Sequence, residues 1–498
     1  MANSGFINDV KRHISVPPGL PRERPTVAAW QEPPHPTIAN AQSPTLPTKT
    51  DVVIIGSGIT GCSVAHTLLK HPSASNLRIT MLEARTAVSG ATGRNGGHLV
   101  SDNDSLFSAL VNTVGLERAI ETVHFSEANI RRLKDLIAQL PDADREAVEF
   151  RTVTTTTGFE DRHSFKDAVK TMKELTDAVP NGDLKYQVAS APEASDKFHY
   201  RDAAGVVEQH GVAALWPYRL MTAILAQLLQ QHGDRFTLET NTPVLSMDHS
   251  PESPSAHPYA ILTRRGSIRA KQIFHCTNGF SARLIPNLVG KLYPLKGTMS
   301  TQKMGPFFPQ LGDSISWAHV SKGSYDEKTG YIQLGLYYAQ QNARTGVMFL
   351  GGEAQKLSNL LSDDDSFVAD EARSSLCAAA PMIWKDAAPV QPLKVWSGIM
   401  GFTSDGLPLV GNLSRSLTNR SGDGEWMAAG FNGHGMDKCW LSGEAIARMA
   451  LGEKEVPGFP KAYILDEERF QALTPDMAAE TLMEHIMLSG NAEPKSHL

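Results

Sequence analysis

Residues 52–69, VVIIGSGITGCSVAHTLL, constrain this chain more than any other stretch. A β-branched run ends on Gly56, glycines recur at Gly58 and Gly61, and an apolar helical pattern (Ile59, Val64, Ala65, Leu68, Leu69) follows. Buried strand, tight turn and helix in that order form the first half of a dinucleotide-binding unit. Gly56 permits the sharp turn, Gly58 leaves no side chain between the backbone and a pyrophosphate, and Gly61 lets the helix pack closely on the sheet. A helix starting near Ile59, with Thr60 in its first turn, aims unpaired N–H groups and a positive dipole end at the phosphates. The next apolar segment, LRITMLEA, carries Glu83 at its end, 22 positions after Gly61, with Ala84 beside it. A carboxylate there suits the ribose hydroxyls and disfavours a 2′-phosphate, hence NADP. The glycine spacing alone is weak; the strand, helix and acid around it carry the reading.

Composition narrows the class. With 498 residues, 41% of them hydrophobic and 20% charged, the chain suits two connected domains of an ordinary globular protein. A net charge of −6 without a long basic block argues against nucleic acid as a partner. No apolar run reaches the roughly 18 residues a membrane span needs, and the N-terminus lacks the apolar centre of a signal peptide. Cys62, Cys276, Cys377 and Cys439 are scattered, without metal-ligand or disulfide spacing, so reduced thiols and no metal are expected. The ending Ser496-His497-Leu498 is similar to the Ser-Lys-Leu address read by the peroxisomal import receptor. Peroxisome is the localisation it implies, and cytoplasm the alternative.

Residues 1–50 are proline-rich (PPGLPRERP, QEPPHP), with Trp30 as the one large apolar anchor of an arm expected to wrap the surface. Residues 104–140 read as helical, and EFRTVTTTTGF as the start of a β-rich stretch. A helix is predicted from about Pro217 to Gln231 and a strand ending near Val244. A hairpin turning at Arg265 and Gly266 follows, then a buried strand stopped by Thr277, Asn278 and Gly279. Near the end, Trp426 to Ala429 reads as a strand entering a turn at Gly430, Gly433 and Gly435, with a helix from about Met436 to Leu451. This is a second helix tip after a strand, able to stabilise negative charge.

Three blocks together, DVVIIGSGITGCSVAHTLL with Glu83, SGATGRNGGH at 89–98, and WSGIMGFTSDGLPLVG at 396–411 continuing into AGFNGHGM at 429–436, resemble the flavin-dependent D-amino acid oxidase superfamily. That resemblance implies an α/β fold: a Rossmann-type FAD-binding domain (51–145, 203–290 and 386–455) interwoven with a β-rich α+β substrate domain (146–202 and 291–385). An arm (1–50) and a C-terminal extension (456–498) flank them. It implies that Ser89, Gly90, Ala91, Thr92, Arg94, Asn95, Gly96 and Gly97 wrap the pyrophosphate and flavin edge, with Arg94 alternatively a surface cation. Thr277 and Asn278 join the cofactor loops; Val244 meets the adenine or is a core valine. Gly406, Leu407, Gly433, His434, Gly435 and Met436 surround the flavin ring.

The same resemblance implies removal of hydride from a carbon bearing nitrogen, giving an imine that water hydrolyses, with oxygen or another acceptor taking the electrons. Gly398 and Arg94 stand where relatives link FAD through cysteine or histidine, which implies noncovalent FAD. His98 and His434 are candidates for proton transfer, or are loop residues that only bond and pack. Lys296 is a candidate for activating oxygen, or a solvated lysine, because Phe349 occupies the place of the family's lysine. Asp437, standing where relatives carry a substrate-binding lysine, would repel a carboxylate, so an amine or polyamine-like substrate is expected. A hydroxy acid or specialised metabolite is the alternative substrate, and a flavin-fold scaffold without turnover the alternative class.

Overall fold

The computed structural model describes residues 4–250, 256–389 and 391–488; the C-terminal Ser496-His497-Leu498 lies outside them. Four largely buried strands pair in parallel, Val52–Ile55 and Ile79–Leu82 wholly so and Phe236–Glu239 and Gln272–His275 except at Thr237 and Gln272. Glu425–Ala429 extends the sheet in parallel and Leu409–Asn412 closes its edge antiparallel. The spatial order is Leu409–Asn412, Glu425–Ala429, Gln272–His275, Val52–Ile55, Ile79–Leu82, Phe236–Glu239. Strands buried on both faces need a cover on each: helices Ile59–Lys70, Pro217–His232 and Cys439–Ala450 pack over the face of Val52 and Ile54, and strands Val244–His249, Tyr259–Thr263 and Gly266–Ala270 cover the face of Val53 and Ile55. The carboxyl ends of all five parallel strands lie along one edge of this sheet, where open α/β sheets bind their ligands.

A second sheet of ten strands carries, in order along its main path, Lys394–Thr403, Leu292–Gln302, Met348–Lys356, Tyr331–Gln341, Ile315–Val320, Arg151–Phe159, Gly205–Ala214 and His98–Leu99. Three of these come from segments the sequence reading gave to the first domain: His98–Leu99, Gly205–Ala214 and Lys394–Thr403. Lys394–Thr403 pairs with Leu292–Gln302 and Gly205–Ala214 with Arg151–Phe159, while His98–Leu99 pairs with Gly205–Ala214, partnerships that sequence order does not encode. A small antiparallel meander, Val244–His249, Tyr259–Thr263 and Gly266–Ala270, completes the sheet structure.

The expected helix over 104–140 is two helices, Asn103–Val114 and Leu116–Ala138, broken at Gly115, whose φ of +83° leaves the helical region. The closing helix starts at Cys439 rather than Met436, because residues 436–438 are spent in a turn in which Lys438 and Cys439 both donate to the Gly435 carbonyl. The two ends of the chain meet: helix Ser4–Ile14 packs Phe6, Val10 and Ile14 against Ala478, Ala479 and Leu482 of helix Pro475–Leu488. No helix among the described residues is long and apolar enough to cross a membrane, and no cluster of metal-ligating side chains occurs among them.

Candidate functional site

At the edge where the parallel strands end, Gly56 leaves its strand at φ +106°, and a Cβ there would come within 2.5 Å of the Cys276 carbonyl oxygen. Gly58 precedes helix Ile59–Lys70 without capping it through a side chain, so the first helical N–H groups face outward from the turn. A Cβ on Gly61 would overlap the Gly56 carbonyl, which sets how closely helix and strand approach. Glu83, at the tip of the neighbouring strand, accepts hydrogen bonds from the Ser57 N–H (3.1 Å), the Ser57 hydroxyl (2.7 Å) and the Arg85 N–H (3.0 Å). Its carboxylate is thereby fixed beside the glycine turn, with Ala84 following in the chain. Val244 begins the meander with its side chain buried in the core near Ile55 and Leu82. Asn278, at φ +46°, takes the Gly430 N–H on its Oδ1 at 2.9 Å, and the Thr277 hydroxyl meets that of Ser281. Two strand ends are thus tied together through one side chain.

The second block lies across this edge. Thr92 Oγ1 accepts the Ile59 N–H at 3.1 Å and stands where a Cβ on Gly58 would point, so Ser89, Gly90, Ala91 and Thr92 overhang the helix tip. Arg94 is no surface cation: it is 3% exposed, and its guanidinium donates to the carbonyls of Ser89, Thr26 and Ser397. Asn95 Nδ2 reaches Met436 Sδ at 3.6 Å and its Oδ1 takes the Gly97 N–H, so the second block touches the closing turn. The closing helix lies along the first: Ser63 donates to the Trp440 carbonyl, and a Cβ on Gly443 would meet Ser63 and Thr60. Opening and closing helix tips therefore share one edge, as the glycine patterns predict.

Asp437 does not face that edge. It is wholly buried, accepts from the Ser126 hydroxyl at 2.6 Å, and pairs with Lys438, whose ammonium also holds Asp102 at 2.9 Å. Burial raises the Asp437 carboxyl pKa. Burial would raise Asp102 too, but the Lys438 ammonium outweighs it and holds that group at about 2. The expectation that Asp437 repels a substrate carboxylate is corrected: its charge is spent inside the protein, among helices whose packing the sequence does not display. His434 is part-exposed in the turn, its Nδ1 3.7 Å from Asp102 Oδ2.

Lys296 also departs from expectation. It is wholly buried rather than solvated, with its ammonium 3.7 Å over the Phe367 ring. Along its strand it pairs with Ile399, whereas the alternate pair Gly297 and Gly398 points at Arg94, a Cβ on Gly398 standing 3.0 Å from Arg94 Cβ. Strand alternation therefore puts Lys296 on the sheet face turned away from the second block. The face turned toward it carries Met299, Trp396, Tyr338 and Phe349. His98 opens the last strand with Nε2 3.2 Å from the Ala339 carbonyl, and burial lowers its pKa to about 4. The third block ends in a loop where Gly406 has φ +72° and the Leu407 carbonyl accepts from Thr403, with Arg469 of the C-terminal extension clamping Asp405 at 2.8 Å.

Residues 51–449 match the FAD dependent oxidoreductase family, DAO. The chain belongs to that family. It is similar to gamma-glutamylputrescine oxidoreductase of Escherichia coli (strain K12), with 21% identity over 414 residues, 81% of this chain and 84% of that protein. Among solved structures it superposes on glycine oxidase from Geobacillus kaustophilus (TM-score 0.60, 18% identity, 84% of this chain and 99% of that one). L-proline dehydrogenase from P. horikoshii gives a TM-score of 0.62 at 18% identity, covering 86% of this chain and all of the other. At such identities the likeness establishes the fold.

The chain's residues fit FAD. Helix Ile59–Lys70 presents its tip, with only the Ile59 N–H taken by Thr92, behind a turn that Gly58 keeps free of a Cβ, a cradle for a diphosphate. Glu83 is fixed one strand away, where ribose hydroxyls would meet it, and the helix beginning at Cys439 supplies a second positive end at the same edge. Sequence reasoning missed the aromatic wall beside the second block. Trp30 and Trp396 donate their indole N–H groups to the carbonyls of Asn95 and Arg94, and Phe349 stacks on Trp30 at 3.9 Å. Tryptophans 366 positions apart carry no shared periodicity, so only Trp30, as a lone anchor in a proline-rich arm, gave any signal.

Proposed function

We propose that this FAD-dependent oxidoreductase oxidises the C–N bond of an amine that bears no carboxylate at the reacting carbon, with FAD held noncovalently. Bound FAD supplies a two-electron acceptor for the hydride leaving the substrate carbon, and the resulting imine is hydrolysed by water. The chain's part is to bind, orient and keep the site dry: the glycine turn and Glu83 hold the dinucleotide, and aromatic rings exclude water beside the second block. Burial lowers the His98 pKa to about 4, so its imidazole is neutral at physiological pH and a weak base, which leaves water to take the proton of the substrate ammonium.

One observation carries the substrate class: the cations around these loops are already engaged. Arg85 bonds Asp365 and the Ser89 carbonyl, Arg94 holds three carbonyls, Arg151 is held by Gln340 and Gln341, and Lys438 pairs with Asp102 and Asp437. A substrate carboxylate would have to take one of them from a buried partner, at a cost of several kcal/mol. The same argument disfavours a hydroxy acid. Noncovalent attachment is supported by Gly398, which has no side chain, and by the occupied Arg94 guanidinium.

Purified protein, made anaerobic, should lose its flavin absorbance with amines and keep it with the corresponding amino acids and hydroxy acids; bleaching by the acids alone would overturn the reading. Readmitting air separates the acceptors. Lys296 lies on the far face and Phe349 on the near one, which favours slow reoxidation by oxygen and an acceptor other than O2; return of colour within seconds with stoichiometric H2O2 would refute that part.

A further inference from the structure

The chain beyond the family match at 51–449 folds back onto the loop that ends the third block. Helix Glu467–Ala472 starts on Asp466, whose carboxylate takes the Arg469 N–H at 2.8 Å and so fixes that residue's backbone. The guanidinium has five N–H donors, and five acceptors surround it. Nε and Nη2 reach the two Asp405 carboxylate oxygens at 2.8 and 3.2 Å. Nη2 also donates to the Leu407 carbonyl at 3.0 Å, and Nη1 to those of Pro408 at 3.0 Å and Ile464 at 3.3 Å. The side chains of Arg469 and Asp405 are 14% and 15% exposed, so water competes little for this pair.

The clamped loop adjoins the closing glycine turn. Leu409, which follows the loop, pairs with Ala429, which precedes the turn, so both leave the first sheet side by side at its carboxyl edge. Thr403 joins them: its N–H donates to Asn432 Oδ1 at 2.8 Å and its hydroxyl to the Leu407 carbonyl at 3.0 Å. The Asn432 N–H returns to the Gly401 carbonyl at 2.9 Å. A continuous run of hydrogen bonds therefore leads from Arg469 through the Leu407 carbonyl and Thr403 to Asn432. The Thr481 hydroxyl, from the next helix of the extension, adds a hold on the Ser404 carbonyl at 2.7 Å. Leu407 and Met436 pack on the same apolar core as helix Ile59–Lys70.

We infer that Arg469 is a positioning residue for the cofactor: its guanidinium sets the loop of Gly406 and Leu407 in the conformation against which the flavin ring binds. The inference rests on the reading of this edge as the FAD site. Arginine suits the task because its planar fork is rigid, so one group holds a carboxylate and two loop carbonyls at fixed relative positions. Asp405 closes the loop on itself as well, taking the Leu407 N–H at 3.1 Å on the oxygen that meets Nη2. Without the guanidinium that carboxylate loses its cation, and the Leu407 and Pro408 carbonyls each lose a donor. Lysine would restore the charge beside Asp405 but not the fork. Linkage makes the effect reciprocal: if the clamp favours the loop that accepts FAD, bound FAD favours the clamp by the same factor.

The test uses full-length protein, stripped of flavin and titrated with FAD, and the variants Arg469→Gln, Arg469→Lys and Asp405→Asn. Arg469→Gln should weaken FAD binding by roughly 5–150-fold, the range of coupling between linked sites, and shift the absorption maxima and midpoint potential of the flavin that does bind. Asp405→Asn should move all three in the same direction, and Arg469→Lys should recover little of the loss. In wild type, hydrogen exchange at 403–408 and at 464–472 should slow together when FAD binds, which needs no variant and decides the matter if Arg469→Gln does not fold. FAD affinity within about twofold of wild type in Arg469→Gln and Asp405→Asn overturns the inference. So does a lowered melting temperature with unchanged affinity, spectrum and potential, or exchange at 464–472 that ignores FAD; each assigns Arg469 to packing. Wild-type apoprotein that takes up no FAD sinks the cofactor reading and the inference with it, whereas FAD binding that ignores Arg469 sinks the inference alone.

Discussion

Replacing Gly61 by alanine tests the phosphate-loop reading most sharply, because the neighbouring Gly58 gives an opposite expectation. In an ordinary helix, glycine to alanine stabilises by about 1 kcal/mol. At Gly61 the added Cβ would overlap the Gly56 carbonyl oxygen and stand 3.1 Å from its carbon and 3.4 Å from Ile54 Cγ2. The two nearest neighbours are backbone atoms of the Gly56 turn, which cannot rotate aside. Restoring ordinary contact requires helix Ile59–Lys70 to lift by on the order of 1 Å, and overpacking of this kind costs about 1–3 kcal/mol. The helix also packs on Cys439–Ala450, so the displacement should disturb both helix tips. Gly61→Ala is therefore expected to lower the melting temperature by a few degrees and to purify with little FAD. Gly58 has φ −69°, which alanine adopts freely, and its Cβ would meet only Thr92 Oγ1 at 3.0 Å, the end of a rotatable side chain. Gly58→Ala should leave the apoprotein's melting temperature within about 1 °C of wild type, since surface changes stay within about 0.5 kcal/mol. It should nonetheless weaken FAD binding, because a methyl then stands before the diphosphate. Thermal melts with and without added FAD, together with flavin titration, decide it. A Gly61→Ala protein as stable as wild type, or a Gly58→Ala protein with unchanged FAD affinity, would refute the reasoning.

Two further expectations concern charge. His98 titrates near 4 in the folded protein and near 6.5 in the unfolded chain, so the unfolded state binds the extra proton between those values. Stability contributed by neutral His98 is present above pH 6.5 and lost as pH falls toward 4, on the order of 3 kcal/mol; His98→Asn should lose less stability than wild type over that window in denaturant melts, and parallel curves would contradict this. Lys438→Met leaves Asp102 and Asp437 buried without their cation, at a cost of about 3–5 kcal/mol near neutral pH. Both carboxyls then hold protons above their unfolded values, so this variant should gain stability relative to wild type as pH drops from 7 to 5. A constant difference across that range would show the triad to be solvated.

The sequence by itself determined the elements whose logic is local. A glycine that must turn, a glycine that must pack and an acid at the next strand's tip are needs of neighbouring backbone, and they placed the start of helix Ile59–Lys70 near Ile59 and Glu83 at the end of the next strand. The three spaced blocks likewise announced the family. Only the tertiary structure decided what each charged or aromatic side chain faces. One residue of strand alternation turns Lys296 away from the second block, a helix from residues 116–138 buries Asp437 on Ser126, and an arm without periodicity delivers Trp30 to the second block. Those outcomes depend on pairings between residues hundreds of positions apart. Burial and hydrogen bonding fix them through the whole packed molecule, and no local pattern records them.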